Sequence, residues 1–175
     1  RRAGSGIGIA LGIALALAPM TAASASQHKA TTHHKAKPKK SVSATCPTSA
    51  QITAAAGIPY PAPKASSGSG TVLCSYADPA TGANLVIAIQ SVSGASASTL
   101  KTVANSQANA QKTTATFVSG FGSAAYIFTL NDASTNSSGV ATTNLFILDG
   151  SKLIDITAQA TVAQVKAVAR YVLAH

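Results

Sequence analysis

Few residues in this chain are equipped for chemistry, and their spacing narrows the choices further. There is no glutamate, and only four aspartates (Asp78, Asp132, Asp149, Asp155), four histidines and two cysteines are present. Cys46 and Cys74 do not form a C-x-x-C pair, and no cationic neighbour lowers either thiol pKa, so a structural disulfide is the expected role rather than redox chemistry. Three of the histidines sit in one Lys-rich stretch, and the fourth is His175. Cleavage after Ala25 would leave Ser26-Gln27-His28 as a new terminus. A free amine, two backbone nitrogens and an imidazole at the third position can close a square-planar site, the geometry favoured by Cu(II) and Ni(II). His33 and His34 can add a second, looser site. The plain alternative is that histidines fall there by chance.

Two motifs match catalytic patterns on paper only. Ser98-Thr99-Leu100-Lys101 spells S-x-x-K, in which a lysine activates a serine, but the companion S-D-N and K-T-G motifs are absent. Ser98 as a helix cap, with Lys101 in solvent, is the simpler expectation. Gly120-Phe121-Gly122-Ser123-Ala124-Ala125 matches G-x-G-x-x-A, yet a dinucleotide site needs that turn to open a helix toward the pyrophosphate. Here it runs into Tyr126-Ile127-Phe128-Thr129-Leu130, which reads as a strand. Asp78 and Asp149 fall in turns and Asp132 in a loop. Asp155 alternates with Leu153 and Thr157, so it faces either solvent or a polar pocket. A paired-carboxylate or Ser-His-Asp site would have to be assembled from these parts. The expectation is that the protein is not an enzyme and carries no cofactor.

The elements that must position these residues begin after a leader. Arg1-Arg2 precede the apolar run Ile7–Leu17, and Ala23-Ser24-Ala25 supplies small residues for cleavage, so 1–25 reads as a secretory signal peptide. The apolar core is short of the ~20 residues that span a bilayer, and an uncleaved membrane anchor is the second reading. An exported chain with two cysteines is expected to form a disulfide. Residues 26–45 hold Lys, His, Thr, Ser and Ala with little to bury and read as a disordered basic tether. Lys29, Lys35, Lys37, Lys39 and Lys40 crowd this stretch. It serves either as a solvated spacer or as an adhesive for anionic cell-wall polymers or a membrane surface. It has no aromatic residue to stack on bases, which argues against specific nucleic-acid binding. From Cys46 onward six Lys/Arg (Lys64, Lys101, Lys112, Lys152, Lys166, Arg170) face four Asp, leaving only +2 of the chain's formal +9. The high pI therefore describes a tail rather than a basic binding face.

Residues 46–175 read as a single α+β domain. Thr48 or Ser49 caps a short helix through Ala56 that Gly57 ends. The prolines of Ile58–Pro63 exclude helix and central strand, and Ser66–Gly70 reads as a loop. Thr71–Tyr76 is a strand with Val72, Cys74 and Tyr76 on one face, and Leu85–Ile89 pairs with it as a hairpin. Ser96–Gln111 is a weak helix with Leu100, Val103, Ala104 and Ala108 on one side. Ala115–Val118 is a short strand, and Ala124–Leu130 a longer one with Tyr126 and Phe128 on a common face. Val140–Leu148 and Lys152–Ala158 form the clearest hairpin, around Asp149-Gly150. Thr161 and Gln164 make the capping box of a last helix, whose buried stripe is Val162, Val165, Val168, Ala169, Val172 and Leu173. The expected fold is an antiparallel sheet of about five strands with helices packed mainly on one face.

Cys46-Pro47-Thr48, Gly57, Cys74-Ser75-Tyr76 and Gly120-Phe121-Gly122-Ser123-Ala124-Ala125-Tyr126, followed by a hairpin and terminal helix, resemble a family of small exported actinobacterial domains of unknown function. Many members are lipoproteins, but no lipid-acceptor cysteine follows the apolar run here. More distantly the pattern is similar to the PsbP/Mog1-like α+β superfamily. The resemblance implies no catalytic residues. The expected function is that of a secreted, non-catalytic binding domain on a basic tether, its ligand on the helix-free sheet face or in a cleft near Tyr60, Tyr76, Tyr126 and Phe128, aromatics for which a place in the core is the simpler expectation. The alternative is a passive surface protein retained on the cell wall by its lysines.

Overall fold

The computed structural model describes residues 45–78, 82–130 and 141–175. The leader, the Ser26-Gln27-His28 motif, His33, His34 and Lys29, Lys35, Lys37, Lys39 and Lys40 lie outside them, as do residues 79–81 and 131–140, on which the expected Asp78–Gly82 turn and the expected loop with Asp132 fall.

Helix α1 (Ser49–Ala56) begins where Thr48 accepts from the Gln51 backbone amide while the Gln51 side chain returns to Thr48, a reciprocal capping box. Gly57 ends it in the left-handed region at φ 70, where a residue without Cβ has no steric penalty. Strands β1 (Lys64–Gly68) and β2 (Thr71–Ala77) follow as a hairpin. The expected loop at Ser66–Gly70 is therefore mostly strand. Ser69 and Gly70 both take positive φ, 50 and 76, as a tight two-residue hairpin connection requires. Every residue of β1 is exposed, so it carries no apolar alternation by which a sequence could reveal it.

Strand β3 (Asn84–Ser91) leads to helix α2 (Ala97–Ala110), then β4 (Thr116–Phe117), β5 (Ala124–Leu130), β6 (Thr142–Asp149), β7 (Lys152–Gln159) and helix α3 (Val162–Ala174). The strands form one antiparallel sheet in the order β1-β2-β3-β7-β6-β5-β4, seven strands rather than about five. It consists of two meanders, β1-β2-β3 and β4-β5-β6-β7, joined where β3 pairs with β7.

Alternation along the strands sends one set of side chains to each face. Cys74, Tyr76, Leu85, Ile87, Ile154, Ile156, Leu145 and Ile147 pack with Ile52 of α1 and Val165, Val168 and Ala169 of α3. The opposite set on β5 and β6, including Phe128, Phe146 and Leu148, packs with Leu100, Ala104 and Ala108 of α2. Two helices thus share one face, and the third covers the other face at the β5–β6 end. Burying a side chain the size of Leu, Ile or Phe contributes roughly 1.5–3 kcal/mol, so these two clusters dominate the stability. Val162, expected in the buried stripe of α3, is exposed because it sits in the first turn, beyond the sheet-facing residues.

The Gly-x-Gly stretch is a structural turn. Phe121 is buried, with the Arg170 guanidinium 5.5 Å from its ring centroid. The backbone and hydroxyl of Ser123 both donate to the Leu148 carbonyl. Gly122 has φ 53, and a Cβ there would collide with that same carbonyl oxygen. Gly122→Ala should therefore cost roughly 2–4 kcal/mol in urea unfolding, against about 1 kcal/mol for Gly120→Ala, whose Cβ would meet open space.

Cys46 and Cys74 are disulfide-bonded, with Cα atoms 5.6 Å apart. The Tyr76 hydroxyl donates to the Pro47 carbonyl at 2.6 Å, so Cys46-Pro47 and Cys74-Ser75-Tyr76 work as one clasp. Ser49 Oγ donates to the Tyr60 carbonyl, adding a tie across the α1 turn. The bridge spans 28 residues, which corresponds to roughly 3 kcal/mol of stabilisation in the chain-entropy treatment. A Cys46→Ser, Cys74→Ser double variant should lose about that much in equilibrium unfolding while keeping its far-UV circular dichroism.

Candidate functional site

The sequence-derived candidates distribute unevenly over this frame. Tyr60 and Tyr76 are core residues on the α1/α3 side, edge-to-face at 6.3 Å between centroids. Burial raises both phenol pKa values, that of Tyr76 to about 12 with a smaller contribution from Tyr171. Phe128 is buried and stacked on Phe146, and Tyr126 lies half-buried against Phe117. These aromatics belong to two separate clusters on opposite faces and do not meet around a cleft.

Ser98 is the second residue of α2, not its cap. Ser96 holds the extended backbone at φ −125 that aims its hydroxyl at the Thr99 amide. Ser98 Oγ lies 2.8 Å from Ser96 Oγ, and both Ser98 and Lys101 are exposed. His175 stacks on Tyr171. Among the described residues, no group of three or more His, Cys, Asp or Glu could hold a metal ion.

The arrangement that remains is the part of the second sheet face that α2 does not cover. β7 presents Leu153, Asp155, Thr157 and Gln159 there, all partly exposed, while Ile154, Ile156 and Ala158 face the main core. Register sets the neighbours. Asp155 stands between Ala88 of β3 and Phe146 of β6, with Leu73 of β2 and Ser66 of β1 continuing the same row. Thr157 stands between Val86 and Asn144. This half of the face carries an apolar strip of Leu73, Val86, Ala88 and Leu153 among hydroxyl and amide side chains, with one carboxyl group at its border with the α2 cluster.

The hydrogen bonds around that carboxyl are unequal. Thr157 Oγ1 is 2.7 Å from Asn144 Oδ1 but 3.4 Å from Asp155 Oδ1. A hydroxyl has one proton, and the shorter contact takes it. Among the described residues no Lys, Arg or His makes an ion pair with Asp155. The residue keeps some exposure, yet burial dominates its titration. Desolvation pushes the pKa up from 3.8 to about 6, and the Thr157 contact opposes this only partly. The site can accept hydrogen bonds and hold a positive charge. It offers no nucleophile paired with a base, because Thr157 is turned to Asn144 and no imidazole, thiol or amine stands beside it among the described residues.

A concavity of about 380 Å³ lies beside the disulfide, lined by Thr45, Cys46, Ala65, Ser66, Ser67 and Val72. Its polar groups are hydroxyls of small, exposed side chains, and no charge is focused there. No sequence signal points to it, since half of its lining comes from strand β1, which buries nothing.

Asp155 makes the fold sensitive to pH. The unfolded chain ionises this carboxyl near 3.8 and the folded chain near 6, so between those values the native state binds more protons. Stability therefore falls as pH rises through that window, by up to about 3 kcal/mol. D155N should raise stability at pH 7.5 by about 1–3 kcal/mol and flatten the profile between pH 4 and 6 in urea unfolding. Equal unfolding of variant and wild type at both ends would show that the carboxyl ionises without cost. Comparison with known proteins adds no identity to this geometry, since no family model, curated protein or solved structure matches the chain.

Proposed function

We propose that this chain is an exported, non-catalytic binding domain that receives its ligand around Asp155, on the half of the second sheet face that lies beyond α2. One observation carries the reading. A carboxyl group sits where desolvation opposes its ionisation, with no cation against it among the described residues. Such a group lowers stability at neutral pH, and a ligand is what would offset that cost. The apolar floor beside it, Leu73, Val86, Ala88 and Leu153, is partly exposed and suits a contact surface.

Export is supported by the leader-like residues 1–25 and by the Cys46–Cys74 disulfide, a bond favoured outside the reducing cytoplasm. Among the described residues no helix is long and apolar enough to cross a membrane. The lysines of the basic tether would act separately, holding the protein to anionic wall polymers in a salt-sensitive way.

A fragment library screened by amide chemical shifts tests the reading. Hits should cluster at residues 73, 86, 88, 153 and 155, and Ala88→Arg should abolish them while Ala54→Arg on the exposed side of α1 leaves them in place. Hits confined to the depression beside the disulfide, or unaffected by Ala88→Arg, would overturn it. Thermal unfolding of each variant confirms that the fold is intact.

A further inference from the structure

We propose that the Asp155 face is a site for a small organic ammonium, a protonated amine on an aliphatic body of about six carbons. This rests on the preceding reading and adds the chemical class of the ligand.

Charge complementarity selects the cation. Asp155 is the one acidic side chain that the β2, β3 and β7 registers place on this face. The corresponding positions are Thr71, Leu73 and Ser75 on β2, Val86, Ala88 and Gln90 on β3, and Leu153, Thr157 and Gln159 on β7. The nearest hydroxyl, Thr157, lies closer to Asn144 Oδ1 (2.7 Å) than to Asp155 Oδ1 (3.4 Å), so it makes at most one weak hydrogen bond to the carboxylate, which keeps further acceptor capacity. An ammonium supplies up to three donors and the opposite charge in one group.

The floor selects the rest of the molecule. Ala88 lies directly across from Asp155, and Leu73 lies one strand beyond it. Strand spacing places Leu73, two strands along the same row, about 10 Å from Asp155. Val86 and Leu153 flank that line on adjacent rows. On the opposite side Phe146 closes the row, buried under α2, so the ligand has one direction in which to extend. The small side chain of Ala88 leaves space for an alkyl chain lying across β3. A carboxylate or phosphate ligand would face like-charge repulsion here.

The other ionisable groups bear little on this carboxylate. Lys64 is on the far edge strand, on the adjacent row. Asp149 and Lys152, paired at the β6–β7 turn, share the parity of Ile147 and Ile154 and so belong to the other face. Tyr126 lies on β5 beyond Phe146, and Lys101 is exposed on α2.

The test titrates the full chain with n-hexylammonium chloride, 1-hexanol and hexanoate, followed by amide chemical shifts. Hexylammonium should perturb residues 73, 86, 88 and 155 and bind at least tenfold more tightly than hexanol, with hexanoate weaker still. D155N should remove that preference, bringing hexylammonium to within about threefold of hexanol. Because the cation needs the ionised carboxylate, affinity should fall about tenfold between pH 7.5 and pH 5, as the carboxyl protonates around about 6. Equal binding of hexanol and hexylammonium at this face would overturn the ammonium inference and leave the binding-face reading standing. Hexylammonium shifts confined to other surfaces, or a preference that survives D155N, would also overturn it. Fragment hits lost in Ala88→Arg are the separate arm that decides the reading beneath it.

Discussion

Strand β6 imposes the constraint on which the rest of the architecture depends. Thr143 to Leu148 are buried without interruption, three side chains to each face. A strand in that condition must be covered on both sides, because its backbone directs alternate residues in opposite directions. Leu145 and Ile147 require α1 and α3, and Phe146 and Leu148 require α2. The chain between β3 and β4 must therefore cross to the second face, which is how α2 comes to lie against β5 and β6. The same requirement explains the one buried hydroxyl near the end of the strand, since Thr143 donates to the Ala160 carbonyl at 2.8 Å and is thereby satisfied. Neighbouring β7 escapes the double demand. Among the described residues only Leu153 on its second face packs against the α2 cluster, and that difference between adjacent strands creates the candidate site.

Attachment of the N-terminal segment is a smaller matter energetically but sets where the domain begins. The disulfide contributes roughly 3 kcal/mol, comparable to burying one large side chain such as Ile52. Neither alone would hold α1. Ile52 and Ala56 pack against the sheet and α3, while the Tyr76–Pro47 hydrogen bond and the Cys46–Cys74 bridge fix the entry of the helix from the side of β2. Burial positions the helix, and the covalent bond removes the open conformations in which its short, weakly amphipathic sequence would detach.

Local signals in the sequence were legible wherever a backbone requirement selects a residue type. Thr48 with Gln51 and Thr161 with Gln164 mark two helix starts, Gly57 a helix end and Asp149-Gly150 a hairpin, because each answers an unpaired amide or an unusual φ. The alternation of Leu153, Asp155 and Thr157 was equally legible. Period two, however, says only that alternate residues share a face, not which face a distant helix will cover. That information resides in the pairing of β3 with β7, residues some 70 positions apart, and in the crossover of α2. Strand β1 was illegible for a different reason. Lys64-Ala65-Ser66-Ser67-Gly68 buries nothing, so its conformation is dictated by the Ser69-Gly70 turn and by the open edge of β2 rather than by its own composition.

The position of Asp155 follows from the same geometry and explains why it matters. A carboxylate on a surface strand would be solvated, and one in the main core would be excluded outright. Asp155 falls on the row where the α2 cluster ends, with buried Phe146 on one side and partly exposed Ala88 on the other. There it loses water without gaining a charged partner among the described residues. Burial of an uncompensated charge opposes folding, so Asp155 is not a stabilising device. What the arrangement does provide is directional. The wall of Phe146 blocks approach from one side, and the floor of Ala88 and Leu73 opens the other. A positive group reaching the carboxylate must therefore bring its apolar portion across β3, which ties the charge of the ligand to its shape.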